Sequence, residues 1–600
     1  MGLLSLAIWT PIVFGVILLA IGRDSQARAV RWVALIGSVV SFLITLPLYK
    51  GFELGTSAMQ FVEKYTWIER FNVHYHLGVD GISLWFVLLT AFINVIVVIA
   101  GWEVITRKVN QYMAAFLILS GLMIGVFSAL DGILFYVFFE ATLIPMYLII
   151  GIWGGPNKIY AAFKFFLYTL MGSLLTLIAL IYLYTASNGS FDILTWHKLQ
   201  LSGTVQTLLF FAFFAAFAVK VPMWPVHTWL PDVHVEAPTG GSAVLAAIML
   251  KLGAYGFLRF SMPIAPDAAR EWGMFIIVLS LVAVVYVGLV AMVQQDMKKL
   301  VAYSSVAHMG FVTLGFFIFN PLGVSGGIVQ MIAHGFVSAA MFLSIGVLYD
   351  RVHSREIASY GGVVNTMPKF AAFALFFAMA NCGLPGTAGF VGEWMVILGA
   401  VKFNFWIGLL SASALIFGAA YTLWMFKRVY LGPVANDDVK ALTDINGREF
   451  LVMALLAALL QFGSVGGVLL VAGVFSYISL PRESFPEIKI PHIFVNTIYP
   501  GASPEDIEKL VTEKIEDQLV RVTLGRLAHF RQGRLEDAKP IIRDIVPADF
   551  DGAFELAVLD REAMGLKVLD LTRANPFAQG RKLAKPAIGF VTRRAGHGHG

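Results

Sequence analysis

The chain is poor in cysteine and in charge. Cys382 is the only cysteine among 600 residues, which excludes an internal disulfide framework and any multi-cysteine iron–sulfur or zinc site. Charged residues make up 14% of the chain, whereas an ordinary soluble domain carries about 25%. The sequence also lacks a glycine-rich phosphate loop and a nucleophile elbow. These absences argue against a redox cofactor and against nucleotide hydrolysis in this chain.

Apolar residues dominate instead. They make up 58% of the chain, with 49 Phe, 13 Trp and 56 Gly, and the mean hydropathy is +0.78. The apolar runs continue for about twenty residues, which fits helices that cross a bilayer and not the alternating strands of a barrel. The first run, residues 3–21, lacks a basic leader and a cleavage site, so we interpret it as an uncleaved span. The sequence therefore predicts an all-α polytopic membrane protein.

We count about fourteen transmembrane helices in residues 1–480. They are predicted to begin near Leu3, Val30, Ile82, Tyr112, Gly132, Ala161, Val205, Gly240, Trp272, Val301, Ser325, Lys369, Phe403 and Phe450. Basic residues concentrate in alternate loops, for example Arg107 with Lys108, and Lys298 with Lys299. Because cytoplasmic loops carry the excess of Lys and Arg, this pattern predicts a periplasmic N-terminus and a periplasmic tail.

The tail, residues 481–600, differs from the rest in composition. From Pro481 onward the apolar runs give way to mixed charge, as in a soluble segment. Ser503 followed by Pro504 and Glu505 is typical of a helix start, so a short amphipathic helix is predicted there. The basic end, residues 581–600, is predicted to be disordered.

Six ionisable residues lie inside the apolar spans: Glu140, Lys220, Lys251, His308, His334 and Glu393. A lysine near mid-membrane costs roughly 3 kcal/mol on insertion scales, so such residues are usually functional. The acids, the lysines and the histidines could each have a structural role instead. Glu140 and Lys220 could form a static ion pair that fixes helix register, and an intramembrane histidine could be a packing residue bonded to a carbonyl.

Interruptions of two spans favour transport over structure. The segment VPMWP breaks the span that carries Lys220, and GLPGTAG precedes Glu393. Broken helices at matching positions of two halves indicate an ion pathway in a transporter built from inverted repeats. The order of features also repeats, which predicts two five-helix repeats over about 112–261 and 272–430. Desolvation disfavours the charged forms of lysine and glutamate, so these residues suit proton exchange. A contact between Glu140 and Lys220 would act as a switch, with Lys251 and His308 relaying protons towards Glu393.

Three stretches carry a family resemblance: AVKVPMWPVHTWLPDVHVEAPTGGSAVLAAIMLKLGAYGFLRF, QQDMKKLVAYSSVAHMGFVTLG and GLPGTAGFVGEW. Over about residues 1–460 the chain resembles the subunit M family of the bacterial respiratory NADH:quinone oxidoreductase, complex I, whose mitochondrial counterpart is chain 4. The resemblance implies broken helices 7 and 12. It also implies that Glu140, Lys220, Lys251 and Glu393 are proton-channel residues, with His308 and His334 as relay candidates.

The same resemblance implies a translocase subunit in the bacterial inner membrane, beside other antiporter-like membrane-arm subunits. It implies that NADH, FMN, iron–sulfur clusters and quinone are bound by other subunits, with no cofactor, metal or redox site in this chain.

Residues of about 465–519 depart from this family. They resemble the start of a resistance-nodulation-division efflux transporter, so the chain has the form of a fusion. No motif indicates the origin of the residues after about 520. Two other functions stay open on the sequence: a subunit of a multi-subunit sodium/proton antiporter, which shares the LPDxHxEAPT type of motif, and a drug-efflux component, against which the missing efflux spans argue.

Overall fold

The computed structural model describes residues 2–21, 24–462, 493–498, 553–558, 569–570 and 588–593. The chain divides into two units, Met1–Ile478 and Ser479–Gly600. The predicted amphipathic helix near Ser503 lies outside the described residues.

The first unit is a bundle of long apolar helices. Its N-terminal half contains α1 (Leu3–Ile21), α2 (Ala27–Lys50), α3 (Ser83–Val104), α4 (Val109–Ser128), α5 (Gly132–Trp153), α6 (Lys158–Ala186), α7 (Gly203–Lys220), α8 (Trp229–Glu236) and α9 (Thr239–Ile264). Its C-terminal half contains α10 (Gly273–Met292), α11 (Met297–Phe317), α12 (Pro321–Val352), α13 (Pro368–Asn381), α14 (Ala388–Phe403), α15 (Phe405–Tyr430) and α16 (Gly447–Phe462). Short helices at Ile193–Trp196, Pro266–Glu271 and Asp437–Lys440 lie in connections.

The helix count agrees with a polytopic membrane protein. Twelve helices in the described part of the chain are long and apolar enough to cross a membrane. The two remaining predicted spans correspond to the pair α13 and α14, and to α16. The predicted polytopic membrane fold built of helices is therefore confirmed.

Two of the spans are broken, as the sequence predicts. Helix α7 ends at Lys220, and the chain turns through residues 221–228 before α8 begins at Trp229. Helix α13 ends at Asn381 and α14 begins at Ala388. The second break contains Gly383 and Gly386 at φ values of 70° and 93°, a conformation that glycine adopts without strain.

Three helices lie at the centre of the bundle. The most apolar stretches of α9 and α11 are each 94% buried inside the protein, and that of α12 is 89% buried. The corresponding stretch of α15 is only 33% buried. A helix that is buried all round must satisfy its polar side chains inside the protein. The central position of α9, α11 and α12 therefore constrains Lys251, His308 and His334, which these helices carry.

The connection between α2 and α3 contains a hairpin that was not predicted from the sequence. Strands β1 (Gln60–Ile68) and β2 (Val73–Val79) pair antiparallel. Glu63 of β1 accepts hydrogen bonds from the backbone amides of Gly2, Leu4 and Ser5 at 3.1, 2.9 and 3.1 Å. This carboxylate satisfies amides that the first turn of α1 leaves unpaired, and it ties the hairpin to α1.

The second unit contains a four-stranded sheet of β3 (Ile493–Ile498), β4 (Ala553–Val558), β5 (Leu569–Asp570) and β6 (Ile588–Arg593), in the order β5-β4-β3-β6. Strand β3 pairs antiparallel with β4 and parallel with β6. Strand β6 lies inside the segment 581–600 that was predicted to be disordered. The other residues of that segment are outside the described part.

Candidate functional site: a buried polar axis

Lys220 sits at the break between α7 and α8. Its side chain is buried, and its Nζ has no hydrogen-bond partner in the part of the chain that the structure describes. The ammonium lies 4.6 Å from the centre of the Phe139 ring and 5.9 Å from that of Phe165, within the range of a cation–π contact. Gly253 of α9 faces this break, and a Cβ there would come within 2.9 Å of the Cβ of Lys220. Glycine at position 253 therefore allows α9 to approach the end of α7.

The expected contact between Glu140 and Lys220 is not formed. The two charges interact through space, but no nitrogen–oxygen distance between them is 4.0 Å or less. Oε1 of Glu140 is buried without a hydrogen-bond partner among the described residues. The prediction of a direct pair was wrong for this conformation, because the lysine is directed at the faces of Phe139 and Phe165.

Lys251 is paired, in contrast. Its Nζ lies 2.7 Å from Nδ1 of His334 and donates to the carbonyl of Ala246 at 2.7 Å. Lys251 lies two residues after a π-helical stretch, Leu245–Met249, that contains Ala246. A π-helical turn disturbs the regular backbone ladder, and such turns often occur at functional sites. The local geometry of α9 thus supplies an acceptor for a lysine that forms no ion pair with a described carboxylate.

Glu393 and His308 form the second pair. Nδ1 of His308 and Oε1 of Glu393 lie 2.9 Å apart, and Nε2 of Gln330 donates to the same oxygen at 2.9 Å. The other oxygen, Oε2, faces the break between α13 and α14, where a Cβ on Gly383 would come within 2.7 Å of it. The broken helix therefore opens space beside the carboxylate.

The two pairs lie side by side. The rings of His308 and His334 are 5.6 Å apart between centroids. The order in space is Lys251, His334, His308, Glu393. We call these four residues the paired series. Nε2 of His308 is buried, and no described residue forms a hydrogen bond with it. The side chains of the series have polar atoms that can donate and accept protons.

The sequence analysis missed two polar residues next to the series. Gln330 lies one turn before His334 on α12, and this four-residue spacing was the signal that could have identified it. His234, in the quoted motif LPDVHVEAPT, is fully buried and stacks on Phe342 at 4.4 Å, and neither ring nitrogen has a partner within the described residues.

A hydrogen-bonded cluster holds the far end of α9. Arg259 donates to Tyr255 Oη at 3.0 Å and to Asp80 at 2.7 Å, and Tyr255 donates to the carbonyl of Phe127 at 3.1 Å. Burial opposes ionisation of Asp80, but the guanidinium and the hydrogen bonds outweigh burial and hold the pKa of Asp80 below its ordinary value. Because Lys251, Tyr255 and Arg259 follow each other at four-residue intervals, this cluster fixes the rotation of α9.

No group of three or more His, Cys, Asp or Glu side chains in the described residues could hold a metal ion. We call Glu140, Lys220 and the paired series together the polar axis.

Comparison with known proteins gives two family matches. Residues 129–419 match the family described as NADH:quinone oxidoreductase/Mrp antiporter, and residues 461–524 match the AcrB/AcrD/AcrF family. The second match covers the tail junction that the sequence assigned to an efflux transporter.

Curated relatives extend the first match over most of the chain. NADH-quinone oxidoreductase subunit M of Rhodobacter capsulatus is 53% identical over 473 residues, covering 76% of this chain and 92% of the relative. The subunit M of Rickettsia prowazekii (strain Madrid E) is 44% identical, covering 77% of this chain and 95% of the relative. NADH-ubiquinone oxidoreductase chain 4 of Arabidopsis thaliana is 46% identical, covering 77% and 93%.

Solved structures show the same architecture. A chain of respiratory complex I from Thermus thermophilus with bound NADH aligns with a TM-score of 0.71 at 31% identity, covering 79% of this chain and 96% of that chain. A chain of the Mrp complex from Dietzia sp. DQ12-45-1b aligns with a TM-score of 0.67 at 23% identity, covering 79% of this chain and 51% of that chain. At that identity the second alignment supports the fold alone.

Proposed function

Because the chain belongs to the subunit M family of NADH-quinone oxidoreductase, we propose that its buried polar axis carries protons across the membrane. The chain is a membrane-arm subunit of a proton-translocating oxidoreductase, and its partners are other membrane subunits of that complex. Electron transfer takes place in other subunits. We assign NADH, FMN, iron–sulfur clusters and quinone to those subunits, and no cofactor to this chain.

The paired series carries this proposal. Lys251 lies 2.7 Å from His334, and His308 lies 2.9 Å from Glu393. Each pair joins a group that can give up a proton to one that can accept it, at hydrogen-bond distance. A purely structural cluster would not need two adjacent base–acid pairs at the centre of the bundle, where every desolvated charge is costly.

Proton movement follows the order of the series. A proton on Lys251 passes to His334, crosses to His308 through an ordered water, and reaches Glu393 beside the second break. Lys251 is then neutral and ready for the next proton. Each donor loses one proton and each acceptor gains one, so the series returns to its starting state when Glu393 releases its proton.

Glu140 and Lys220 act as a switch in this scheme. In the conformation described here the carboxylate and the ammonium are apart, and Lys220 has no hydrogen-bond partner. If the two approach, each stabilises the charged form of the other, and if they separate, Lys220 more readily gives up its proton. The break at residues 221–228 gives the end of α7 the freedom to move.

Orientation follows from the basic loops. We place the protein in the bacterial inner membrane, with the connections after α3 and α12, which contain Arg107 and Arg355, in the cytoplasm. The N-terminus and the tail after α16 would then be periplasmic.

A sodium/proton antiporter subunit is the second candidate, since the family description and the Mrp fold similarity include that class. The relatives at 44–53% identity favour the oxidoreductase. Sodium dependence of transport separates the two: pumping by the oxidoreductase subunit should not require sodium.

Complementation tests the proposal. A host lacking its own subunit M receives this chain, and quinone-linked NADH oxidation and proton pumping are followed in membrane vesicles. The parent chain should restore both, and Lys220→Ala and Lys251→Ala should each abolish pumping. If the parent fails but a chain with a family-typical last helix after Leu460 succeeds, the tail blocks assembly. If that chain also fails, the proposed function is contradicted.

A further inference from the structure

A charged cavity opens at the end of the bundle that we place in the cytoplasm. It measures about 480 Å³ and lies where the ends of α3, α5, α8 and α12 meet the start of α11. Its lining includes six ionisable side chains: Arg107, Lys108, Glu236, Lys298, Asp350 and Arg355. None of the proton-pathway candidates lies in this cavity, so its charges have no role in the account so far.

Most of these charges already have structural partners. Lys298 donates to the carbonyl of Ala237 at 2.8 Å, and Arg355 pairs with Asp296 at 3.3 Å and donates to the carbonyl of Val235. Asp350 differs, because no ion pair of 4.0 Å or less involves it within the described residues. It also lines a second cavity of about 50 Å³ between α3, α12 and α16. Asp350 is therefore a carboxylate in the cavity that is not committed to a fixed cation.

A ridge on α12 connects Asp350 to the paired series. Residues at intervals of four form a continuous row along a helix, each about 6 Å from the next. On α12 this row consists of Gln330, His334, Ser338, Phe342, Gly346 and Asp350. One end of the row contacts Glu393 and Lys251, and the other end lines the cavity.

The one apolar side chain of this row is covered by a histidine. Phe342 stacks against His234 at 4.4 Å, and His234 is fully buried with both nitrogens unpaired. Burying a polar group without a partner is costly, which indicates a ligand such as water or a proton-carrying role. Ser338, also buried, lies between Phe342 and His334 on the row.

We propose that Asp350 is the proton-uptake residue of this subunit, and that His234 and Ser338 pass the proton from the cavity to Lys251, beside His334. The proposal rests on the proposed function. Asp350 takes a proton from water in the cavity and gives it to an ordered water next to His234. His234 accepts on one ring nitrogen and releases from the other, and Ser338 carries the proton over the last turn. Each group returns to its starting protonation, so no other reactant is needed.

Two matched pairs of variants test the route in the complemented complex. Asp350→Asn removes the carboxylate, and Arg107→Gln changes an exposed charge in the same cavity. Ser338→Ala removes a hydroxyl on the row, and Ser344→Ala removes one that is equally buried on α12 but off the row, where it donates to Ala340. We expect Asp350→Asn and Ser338→Ala to slow pumping by roughly tenfold or more, and the two controls to pump at the parent rate.

A labelling experiment tests solvent access independently of activity. Cys382 is the only cysteine, so a Cys382→Ala chain is a clean background. Tyr349→Cys in the cavity and Ser338→Cys on the row are exposed to a membrane-impermeant thiol reagent on the cytoplasmic face of inside-out vesicles. Both should be labelled, Tyr349→Cys faster, and Ala340→Cys off the row should not.

The possible results distinguish failure of the uptake route from failure of the proposed function. If Lys251→Ala pumps at the parent rate, the proposed function fails. If Lys251→Ala abolishes pumping but Asp350→Asn and Ser338→Ala match their controls, the uptake route alone is overturned. If Asp350→Asn fails to assemble, Ser338→Ala and the labelling decide, and absence of label at Tyr349→Cys overturns the proposal.

Discussion

The two halves of the polar axis hold their buried charges in different surroundings. Around the first break, Lys220 lies over aromatic rings and Glu140 stays apart from it. Next to the second break, Glu393 accepts hydrogen bonds from both His308 and Gln330, and Lys251 is held by His334 and Ala246. One site leaves its charges without partners and the other satisfies them. A lone charge is free to change state when its surroundings move, whereas a hydrogen-bonded series is prepared to pass a proton on.

The largest expected effect comes from breaking the paired series at its end. Glu393→Gln keeps the shape of the side chain but removes its ability to take up a proton, so pumping should fall by roughly a hundredfold. Glu63→Gln is the matched control, because Glu63 is also a buried, hydrogen-bonded carboxylate. Pumping is measured in vesicles of the complemented host. Equal rates for the two variants would contradict the role of Glu393.

Replacing each lysine by methionine sharpens the contrast between the halves. Lys220→Met removes a buried charge that has no hydrogen-bond partner among the described residues. The free energy of unfolding of this subunit should therefore rise by about 1 kcal/mol. Lys251→Met leaves His334 and the Ala246 carbonyl without their donor and should destabilise by about 1–3 kcal/mol. The measurement is heat-induced aggregation of this subunit in the purified complex. Opposite signs are expected, and a common sign would remove the distinction between the two sites.

Gln330 tests whether the hydrogen bonds around Glu393 matter beyond the acid itself. Gln330→Leu removes one donor from the carboxylate, and a hydrogen bond to a charged group contributes about 1.5–3 kcal/mol, so pumping should slow by roughly tenfold. Gln206→Leu is the control, since Gln206 is a buried glutamine that bonds to Asp267 outside the axis. If Gln330→Leu pumps like the control, Gln330 is only a packing residue.

The smallest effect on pumping is expected outside the axis, in the hairpin. Burial lowers the pKa of His76 from 6.5 even though Asp192 lies 3.5 Å away and favours the charged ring. The folded hairpin therefore binds fewer protons than the unfolded one. Its stability is complete above the unfolded pKa and is lost as pH falls through about 6.5 towards the folded pKa.

Limited proteolysis of the hairpin measures this loss. Cleavage should be faster at about pH 5.5 than at about pH 7.5, and His76→Gln should remove the difference. A cleavage rate that is the same at both pH values in the parent chain would contradict the account of His76. The parent chain and His76→Gln should pump protons at the same rate.

The sequence was sufficient for the architecture because the bilayer imposes a simple rule. A run of about twenty apolar residues has to form a helix there, and Pro and Gly clusters mark where a helix breaks. Ionisable residues are rare inside such runs, so each one can be identified from the sequence. Four of the candidates were found in this way before their geometry was known: Lys251, His334, His308 and Glu393.

What the sequence did not predict depends on side-chain direction and on distant partners. Glu140 and Lys220 were expected to touch, but the Phe139 and Phe165 faces hold the ammonium away from the carboxylate. The partner of Lys251 is a histidine 83 residues away, and the hairpin β1–β2 lies in a loop without strong apolar alternation. Gln330 and His234 were missed because neutral polar residues carry little weight in a composition-based search.

The central claim is that Lys251 gives up its proton during pumping. Lys251→Arg tests it most directly, because arginine keeps a positive charge and can donate to His334 but does not lose its proton in proteins. The account predicts that the complex with Lys251→Arg assembles and that its vesicles do not pump. Pumping at the parent rate would contradict it and would make Lys251 a fixed charge that only positions α9 against α12.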